Sequence, residues 1–327
     1  MQLLWNRVTA RLLACASTAI AALALAGCGG SSTSATAPPG TTATTAVTRP
    51  GVGRPQVTIG DKNYTEEELL GELYYEALQA EGFPVLLNQN IGPTEVTLQA
   101  MKTGQLAMYP EYLNTWNATV AGYQRNFKTR HGAYVAAQRY ALTHGFELLD
   151  PTPFSDTNAI GVTVSYAQQH HLRTVGDLRR VAATMTLGAA PQLDQSQPGV
   201  STLEQAYGFT PAALRPLEIG QQYQALDQGT VQAADVYTTD GELTTGNYTL
   251  LGDPMRVFGI GNVVPVVSSQ VLDQEGPAFA ATVNRVTSLL TLSAIRAMNA
   301  AVDLSGQDPA GVAKRFLVDH GVISTTT

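Results

Sequence analysis

Hydrophobic and polar positions first become regular at Gln56, where we expect the folded part of the chain to begin. The stretch "QVTIG" alternates in the manner of a half-buried strand. In the following "TEEELLGELYYEALQAEGF", apolar residues recur at helical spacing and predict one buried face, formed by Leu69, Leu70, Leu73, Tyr74 and Ala77. Thr65 and Glu68 have the spacing of a capping box, which predicts that the helix begins there.

Strand and helix patterns continue to alternate along the chain. "PVLLNQN" and "QLAMYPE" are strand patterns on either side of the helical "TEVTLQAMKTG". A second series of strand patterns follows, with helical stretches between them: "NAIGVTVS", "ATMTLGA", "VQAADVYTTDG" and "GNVVPVVSS". Long helices are predicted near 277–299 and 309–321. Strands separated by helices favour an α/β fold with largely parallel sheets.

Two segments of the chain share one pattern. "TLQAMKTGQLAMYPEY" and "QYQALDQGTVQAADVYTTD" each contain a helix, a turn with glycine, a strand, and a tyrosine at the strand's carboxyl end, Tyr112 or Tyr237. Pro110 is predicted to end the first of these strands. Open α/β sheets bind ligands at this edge, so we expect a ligand between two halves. Chance similarity between two α/β units is the alternative.

The first 55 residues are predicted to be a leader and a tether. Arg7 and Arg11 precede the apolar "LLACASTAIAALALAG", which is shorter than the ~20 residues of a membrane span. It ends in Leu-Ala-Gly-Cys28, which resembles the lipobox of bacterial lipoproteins. We therefore predict a signal peptide over 1–28, an acylated Cys28, a disordered tether over 29–55, and an extracytoplasmic protein anchored by lipid to the bacterial cell membrane. A plain secretory signal and an uncleaved anchor are the alternatives.

Composition excludes several classes of function. The net charge is -7 and only 14% of residues are charged, so nucleic acid and anionic lipid headgroups are not expected as main partners. The two cysteines, Cys15 and Cys28, both fall in the leader, so no disulfide is expected. No P-loop, G-x-S-x-G, H-E-x-x-H or dinucleotide fingerprint occurs. We predict no enzyme, no cofactor and no metal.

Three stretches carry a resemblance to a known family, namely "VTIGDKNYTEEELLGELYYEALQAEGFPV", "GPTEVTLQAMKTGQLAMYPEYLNTW" and "YQALDQGTVQAADVYTTDGEL". Together they resemble the substrate-binding proteins of glycine betaine/choline (quaternary amine, osmoprotectant) ABC importers. The resemblance covers nearly everything from Gln56 onward. It implies an α/β, two-lobed type II periplasmic-binding-protein fold with a two-strand hinge, which closes on a small-molecule solute. It also implies a monomer whose partners are an ABC permease and its ATPase subunits. The expected lobes are 56–154 plus 265–327, and 155–264.

The resemblance also implies a set of binding residues. Lys62 occupies the motif lysine that holds the solute carboxylate in relatives. Tyr112 falls on a cage ring, Thr115 on a carboxylate donor, and Tyr237 on another cage tyrosine. Asn63 and Asp156 adjoin these motifs and belong to the same predicted site.

Three further positions of the predicted site depart from the family pattern. Asn158 replaces a cage tyrosine, Ser196 stands in place of a carboxylate-binding arginine, and Gly261 lies where relatives have another ring. Two lost rings weaken cation–π attraction by about 1–4 kcal/mol, and the arginine's hydrogen bonds contribute about 1.5–3 kcal/mol. One hypothesis is a betaine, choline or carnitine-like solute. A second is the same importer role with a polyol, sugar or aromatic compound in the space left by these residues. A third is a surface lipoprotein with a sensing or enzymatic role and no transporter.

Overall fold

The computed structural model describes residues 49–123, 125–190 and 199–325. The strands in these ranges are β1 Val57–Gly60, β2 Val85–Asn88, β3 Met108–Tyr112, β4 Phe146–Leu148, β5 Asn158–Thr163, β6 Thr186–Ala189, β7 Ala213–Pro216, β8 Ala233–Tyr237, β9 Tyr248–Leu251 and β10 Val263–Ser268. The longer helices are α1 Thr65–Ala80, α2 Thr94–Lys102, α3 Arg130–Leu142, α4 Val164–Gln169, α5 Val200–Tyr207, α6 Gln222–Asp227, α7 Ser269–Glu275, α8 Pro277–Leu289, α9 Leu292–Asp303 and α10 Pro309–Asp319. Shorter helical turns cover Leu113–Thr115, Trp116–Val120, Val175–Arg180, Ala182–Thr184 and Gly241–Thr245.

The strands form two five-stranded sheets with the same internal plan. The first sheet has the order β2-β1-β3-β10-β4 and the second β7-β6-β8-β5-β9. The first three strands of each order are parallel, and the last two pair antiparallel to their neighbours. The prediction of parallel sheets therefore holds for three strands in each. The repeated pattern in the sequence corresponds to the units α2–β3 and α6–β8, whose strands lie in the middle of their sheets.

Pro110 does not end its strand, contrary to the sequence-based prediction. It lies inside β3, directly opposite Pro265 of β10. Directly opposite residues of an antiparallel pair either exchange two hydrogen bonds or exchange none. Two prolines have no N–H to exchange, so they fit a pair without hydrogen bonds, and the ladder continues to Tyr112.

Each sheet has a hydrophobic core on both faces. Helices α1, α8, α9 and α10 cover one face of the first sheet, where Leu70, Leu73, Val283 and Ile295 are fully buried. The other face of this sheet packs against α3 and the turn at Trp116. Two further clusters, around Leu187 and around Val236, enclose the second sheet. Burial of these side chains is the main source of stability.

Two helix predictions are corrected. The first turn of α1 is preceded by Tyr64, with no side-chain cap, because the hydroxyl of Thr65 donates to Asp303 Oδ1 at 2.6 Å instead. The predicted helix near 277–299 is two helices, α8 and α9, which meet at 84°. This bent pair meets the length and composition expected of a broken membrane span, but within the described residues no single helix does. Phe279, Val283 and Ile295 of the pair are buried in the core of the first sheet.

The chain crosses between the sheets in two segments that run side by side. The first leads from β4 to β5 and the second from β9 to β10. The Asp156 N–H donates to the Gly261 carbonyl at 2.9 Å, and the Thr152 N–H donates to the Val263 carbonyl at 2.9 Å. Asn262 fixes the same region by donating from Nδ2 to the carbonyls of Thr152 and Phe154. These hydrogen bonds connect the two crossing segments, which lead into β5 and β10. Because β5 pairs with β8 and β10 pairs with β3, the ends of β3 and β8 are linked through them.

Candidate ligand-binding site

Most of the predicted binding residues that the structure describes lie at strand ends or on the two crossing segments. Lys62 and Asn63 follow β1, Tyr112 ends β3, and Tyr237 ends β8. Asn158 begins β5 and is the register partner of Tyr237. Asp156 and Gly261 lie on the crossing segments themselves. Cys28 and Ser196 fall outside the described residues, so the predictions for them stay predictions.

A continuous path of backbone contacts joins the two tyrosines. Tyr112 is the register partner of Val263, and the next residue, Leu113, donates its N–H to the Asn262 carbonyl at 3.0 Å. Gly261 then bonds to Asp156, which is two residues from Asn158 and therefore close to Tyr237. Burial is the main cause of the raised pKa of both phenols, and Asp156 contributes a smaller part at each, behind Glu66 at Tyr112 and behind Asp235 at Tyr237.

Tyr112 is held against the first turn of α1. Its hydroxyl donates to Glu66 Oε1 at 2.8 Å, and its ring is stacked on Tyr64, with 6.3 Å between the ring centres and 30° between the planes. Only 5% of Tyr112 is exposed, whereas Tyr64 is 41% exposed. The two rings therefore form a layered aromatic surface with Tyr64 on the solvent side.

Lys62 is buried and paired with two carboxylates. Its Nζ lies 2.5 Å from Glu111 Oε1 and 3.6 Å from Glu67 Oε1. Burial alone lowers the pKa of Lys62, but Glu111 and Glu67 outweigh that effect and raise it above its ordinary value. The ammonium group also lies 5.0 Å from the centre of the Tyr112 ring, within range of a cation–π contact.

Glu111 is the centre of a buried hydrogen-bond network. Oε1 accepts from Lys62 and from the N–H of Tyr112 at 2.8 Å, while Oε2 accepts from Thr94 Oγ1 at 2.9 Å and from the Tyr109 hydroxyl at 3.3 Å. A fully buried carboxylate is stable only when such donors surround it. The network positions Lys62 and Tyr112 together, because both bind the same oxygen.

The second sheet contributes a further group of polar side chains. Asn158 Nδ2 donates to both oxygens of Asp235, at 3.0 and 3.1 Å. Asp240 Oδ2 accepts from the Tyr237 N–H at 2.9 Å and from the Tyr223 hydroxyl at 2.7 Å. Burial raises the pKa of Asp235 and of Asp240 to about 7. The side-chain amide of Asn158 is thus held by the carboxylate of Asp235.

Gly261 is required by backbone packing. A Cβ atom placed on this residue would lie 1.7 Å from the carbonyl oxygen of Asp156, because the two crossing segments meet there. The N–H of Gly261 also donates to Ser155 Oγ at 3.0 Å. The expectation that Gly261 leaves room for a larger solute is therefore wrong: the adjacent backbone fills that space.

The remaining predicted residues take peripheral positions. Thr115 is half-buried and ends the helical turn that follows Tyr112, and Asn63 is exposed. Two surface cavities, of about 860 and 300 Å³, lie beside α4 in the second half of the molecule, and neither contacts a predicted binding residue. Within the described ranges, no cluster of three or more His, Cys, Asp or Glu side chains could hold a metal ion.

Sequence reasoning missed Tyr64, Glu66, Glu111 and Asn299. Tyr64 and Glu66 stand in the quoted stretch "DKNYTEE", shortly after Lys62 and the end of β1. This position next to a predicted binding residue could have indicated that they belong to the site. Glu111 stands beside Tyr112 in the same way. Asn299 gives no local signal, because it reaches Glu66 from α9, far along the chain.

Comparison with known protein families gives a match over most of the chain. Residues 55–319 match the family described as the substrate binding domain of ABC-type glycine betaine transport system. The chain belongs to this family. That span takes in both sheets, both crossing segments and every described residue of the predicted site.

Curated relatives match over most of their length. The chain is 29% identical to a glycine-betaine-binding protein of Pseudomonas aeruginosa, over 81% of this chain and 88% of that protein. It is also 29% identical to the glycine betaine-binding protein YehZ of Escherichia coli, over 84% and 94% of the two chains. A carnitine transport binding protein, OpuCC of Listeria monocytogenes, is 25% identical over 82% and 89%.

Solved structures give the same architecture. A glycine betaine/carnitine/choline ABC transporter structure superposes with a TM-score of 0.76 at 24% identity, covering 82% of this chain and 100% of that one. The apo YehZ protein of Escherichia coli gives 0.69 at 28% identity, covering 82% and 99%. The predicted family and two-lobed α/β fold are confirmed. Membership in a solute-binding family favours quaternary amines over the polyol, sugar or aromatic alternative.

Proposed function

We propose that this chain is the solute-binding lipoprotein of an ABC importer and that it carries a quaternary amine of the osmoprotectant type to the permease. The family match over 55–319 supports the importer role. The observation that supports the solute class is the stacked pair Tyr64–Tyr112 at the carboxyl edge of the first sheet, with Tyr237 at the equivalent edge of the second. Ring faces attract an ammonium group that has no N–H donors.

The lobes proposed for this function are 56–154 plus 265–327, and 155–264. The strands of the first sheet fall in the first set and those of the second sheet in the other set, apart from the start of β10. The paired crossing segments would act as the hinge, and closure would bring Tyr237 toward Tyr112. We propose a monomer that presents its closed form to the permease and its ATPase subunits.

Titration calorimetry of the mature protein tests the solute class. The panel is glycine betaine, choline and carnitine, with a polyol and a sugar for comparison. At least one quaternary amine should bind, and at a hundredfold its dissociation constant it should raise the free energy of unfolding by about 2.7 kcal/mol. Binding of the polyol or the sugar, without any quaternary amine, would contradict the proposal.

The lipid anchor is tested separately. Cys28→Ser should release the protein from the membrane fraction of the producing cells, since the thiol is the acylation site of a lipobox. Retention of the variant on the membrane would show that the leader is an uncleaved anchor. A role outside transport is tested by uptake of labelled solute, which should fall when the protein is deleted.

A further inference from the structure

We propose that this binding site selects a net cation that carries no carboxylate, with Glu66 and Asp156 as its counter-charge. The inference rests on the proposed function and narrows it: within the quaternary amines, a choline-like cation is expected to bind and a betaine-like zwitterion to be disfavoured. Hydrogen bonds, charges and burial around these two carboxylates support this selectivity.

Glu66 is a buried carboxylate whose hydrogen-bond donors among the described residues are neutral groups. It is 5% exposed and lies in the first turn of α1. Oε1 accepts from the Tyr112 hydroxyl at 2.8 Å, and Oε2 accepts from Asn299 Nδ2 at 3.1 Å. Neutral donors orient a carboxylate but leave its negative charge in place. Because Tyr112 is one of these donors, the charge lies next to the stacked ring pair.

Asp156 lies close to Glu66, because Asn299 Nδ2 donates both to Glu66 and to the carbonyl of Thr239, the residue that follows the Asp156 partner Thr238. Its Oδ1 accepts from Thr238 Oγ1 at 3.2 Å, again a neutral donor. Burial and then the charge of Glu66 raise the pKa of Asp156 to about 8. The pKa of Glu66 is raised as well, first by burial. Each carboxylate disfavours the ionisation of the other, so a cation placed near both stabilises the ionised form of the pair.

Basic side chains of the described residues do not supply that cation. Their ion pairs are Lys62 with Glu67 and Glu111, and Arg180 with Asp177, so neither Glu66 nor Asp156 belongs to one. Arg296 donates from Nε to the Thr238 carbonyl, and its charge acts on Tyr223 and Asp240. The other titratable groups that face the pair are acidic or neutral, namely Tyr64, Tyr112, Tyr237 and Asp240.

An unsatisfied acceptor lies beside the same carboxylate. Asn299 is 5% exposed and uses Nδ2 to bind Glu66 and the Thr239 carbonyl, yet its Oδ1 has no hydrogen-bond partner within the described residues. A buried amide oxygen of this kind is normally paired. The carboxylates and the amide oxygen can accept hydrogen bonds. Together with the ring faces they attract positive charge. The motif lysine that would receive a solute carboxylate is already neutralised by Glu67 and Glu111.

Choline and glycine betaine provide a matched pair of probes, because both carry a trimethylammonium group and they differ in a hydroxymethyl against a carboxylate. Calorimetry on the mature wild-type protein at pH 8 should give choline an affinity at least tenfold higher. Equal or tighter binding of glycine betaine would overturn the inference while supporting the proposed function. Binding of neither probe, with a polyol or sugar bound instead, would refute the proposed function itself.

Variants test the two carboxylates. Glu66→Gln and Asp156→Asn should each weaken choline binding at least fivefold. Each should also reduce the difference between the affinities for choline and for glycine betaine. Glu95→Gln is the matched control, because Glu95 lies in the first turn of α2 but is exposed, and it should leave both affinities unchanged. An unchanged ratio in both site variants would refute the role of the carboxylates.

A pH series on the wild type gives a test that does not depend on a variant folding. Neither probe titrates between pH 6 and 9, so any change belongs to the protein. Choline affinity should rise as the pH increases toward about 8, and binding below that pH should release protons, detected as buffer-dependent heat. Affinity that stays constant from pH 6 to 9, without proton release, would contradict the inference.

Discussion

The phenolic oxygen of Tyr112 lies 2.8 Å from Glu66 Oε1, and this hydrogen bond joins the carboxyl end of β3 to the first turn of α1. Tyr112 is also the register partner of Val263, the first residue of β10 after the chain returns from the second sheet. The ring is therefore fixed between a helix start and a crossing segment. Any movement of the two halves about those segments occurs next to this ring.

Replacing Tyr112 by Ala should weaken quaternary-amine binding by about 2- to 30-fold, because each good ring contact contributes roughly 0.5–2 kcal/mol. Tyr237→Ala should have an effect of similar size. Titration calorimetry measures both, with Tyr75→Ala as a control, since Tyr75 lies on α1 but hydrogen-bonds Gln79. Unchanged affinity in both site variants would show that the rings do not contact the solute.

Lys62→Met should destabilise the protein by about 3–5 kcal/mol whether or not solute is present. The substitution leaves Glu111 and Glu67 buried without their shared cation. Urea unfolding measures this loss, and adding Glu111→Gln should restore part of it. A Lys62→Met protein of normal stability that has lost only glycine betaine binding would indicate that the ammonium group serves the solute instead.

The stability of the solute-free protein should fall as the pH rises from 5 to 8. Burial raises the pKa of Asp156 to about 8 and that of Asp240 to about 7, whereas both groups titrate near about 4 in an unfolded chain. Between those values the folded state binds more protons than the unfolded state, so the free energy of unfolding decreases with pH, by at most about 1.4 kcal/mol per unit for each group. Urea unfolding at several pH values measures the slope.

Asp156→Asn provides the control for that slope. The amide does not titrate, so the pH dependence should become shallower by the contribution of one group. A wild-type stability that increases steadily from pH 5 to 8 would contradict the assignment of raised pKa values to these carboxyls.

Gly261→Ala should destabilise the protein by about 1–3 kcal/mol or more, because the added methyl group meets the Asp156 carbonyl and must push the crossing segments apart. Gly252→Ala is the matched control, since its methyl group would have no neighbour closer than 3.5 Å and the residue needs no positive φ. Thermal unfolding compares the two. Equal melting temperatures would show that the segments separate without cost.

The sequence was sufficient to predict that β3 and β8 are strands, because a local helix–turn–strand pattern specifies each. Helix ends and strand ends were less predictable. The hydroxyl of Thr65 binds Asp303 and not its own helix, and Pro110 continues a strand because Pro265 lies opposite. Both outcomes depend on residues more than a hundred positions away in the chain.

Part of the candidate site could likewise be predicted from the sequence, and part could not. Lys62 and Tyr112 come from motifs, and the structure places them on one oxygen of Glu111. Asp156 was predicted and Glu66 stands in a predicted motif, but the proximity of their charges could not be predicted, because Asn299 of α9 connects α1 to the second sheet only in the folded chain. Sequence spacing gives no measure of how such distant side chains share hydrogen bonds.

The chain passes from the first sheet to the second and then returns, and this order of strands affects folding during synthesis. The fourth strand of the first sheet, β10, lies after the whole second sheet in the sequence, and β4 pairs only with it among the described strands. The first half therefore cannot finish folding until residue 268 has been synthesised. A product that stops earlier would expose the unpaired sides of β3 and β4, which makes shortened forms of this protein prone to aggregate.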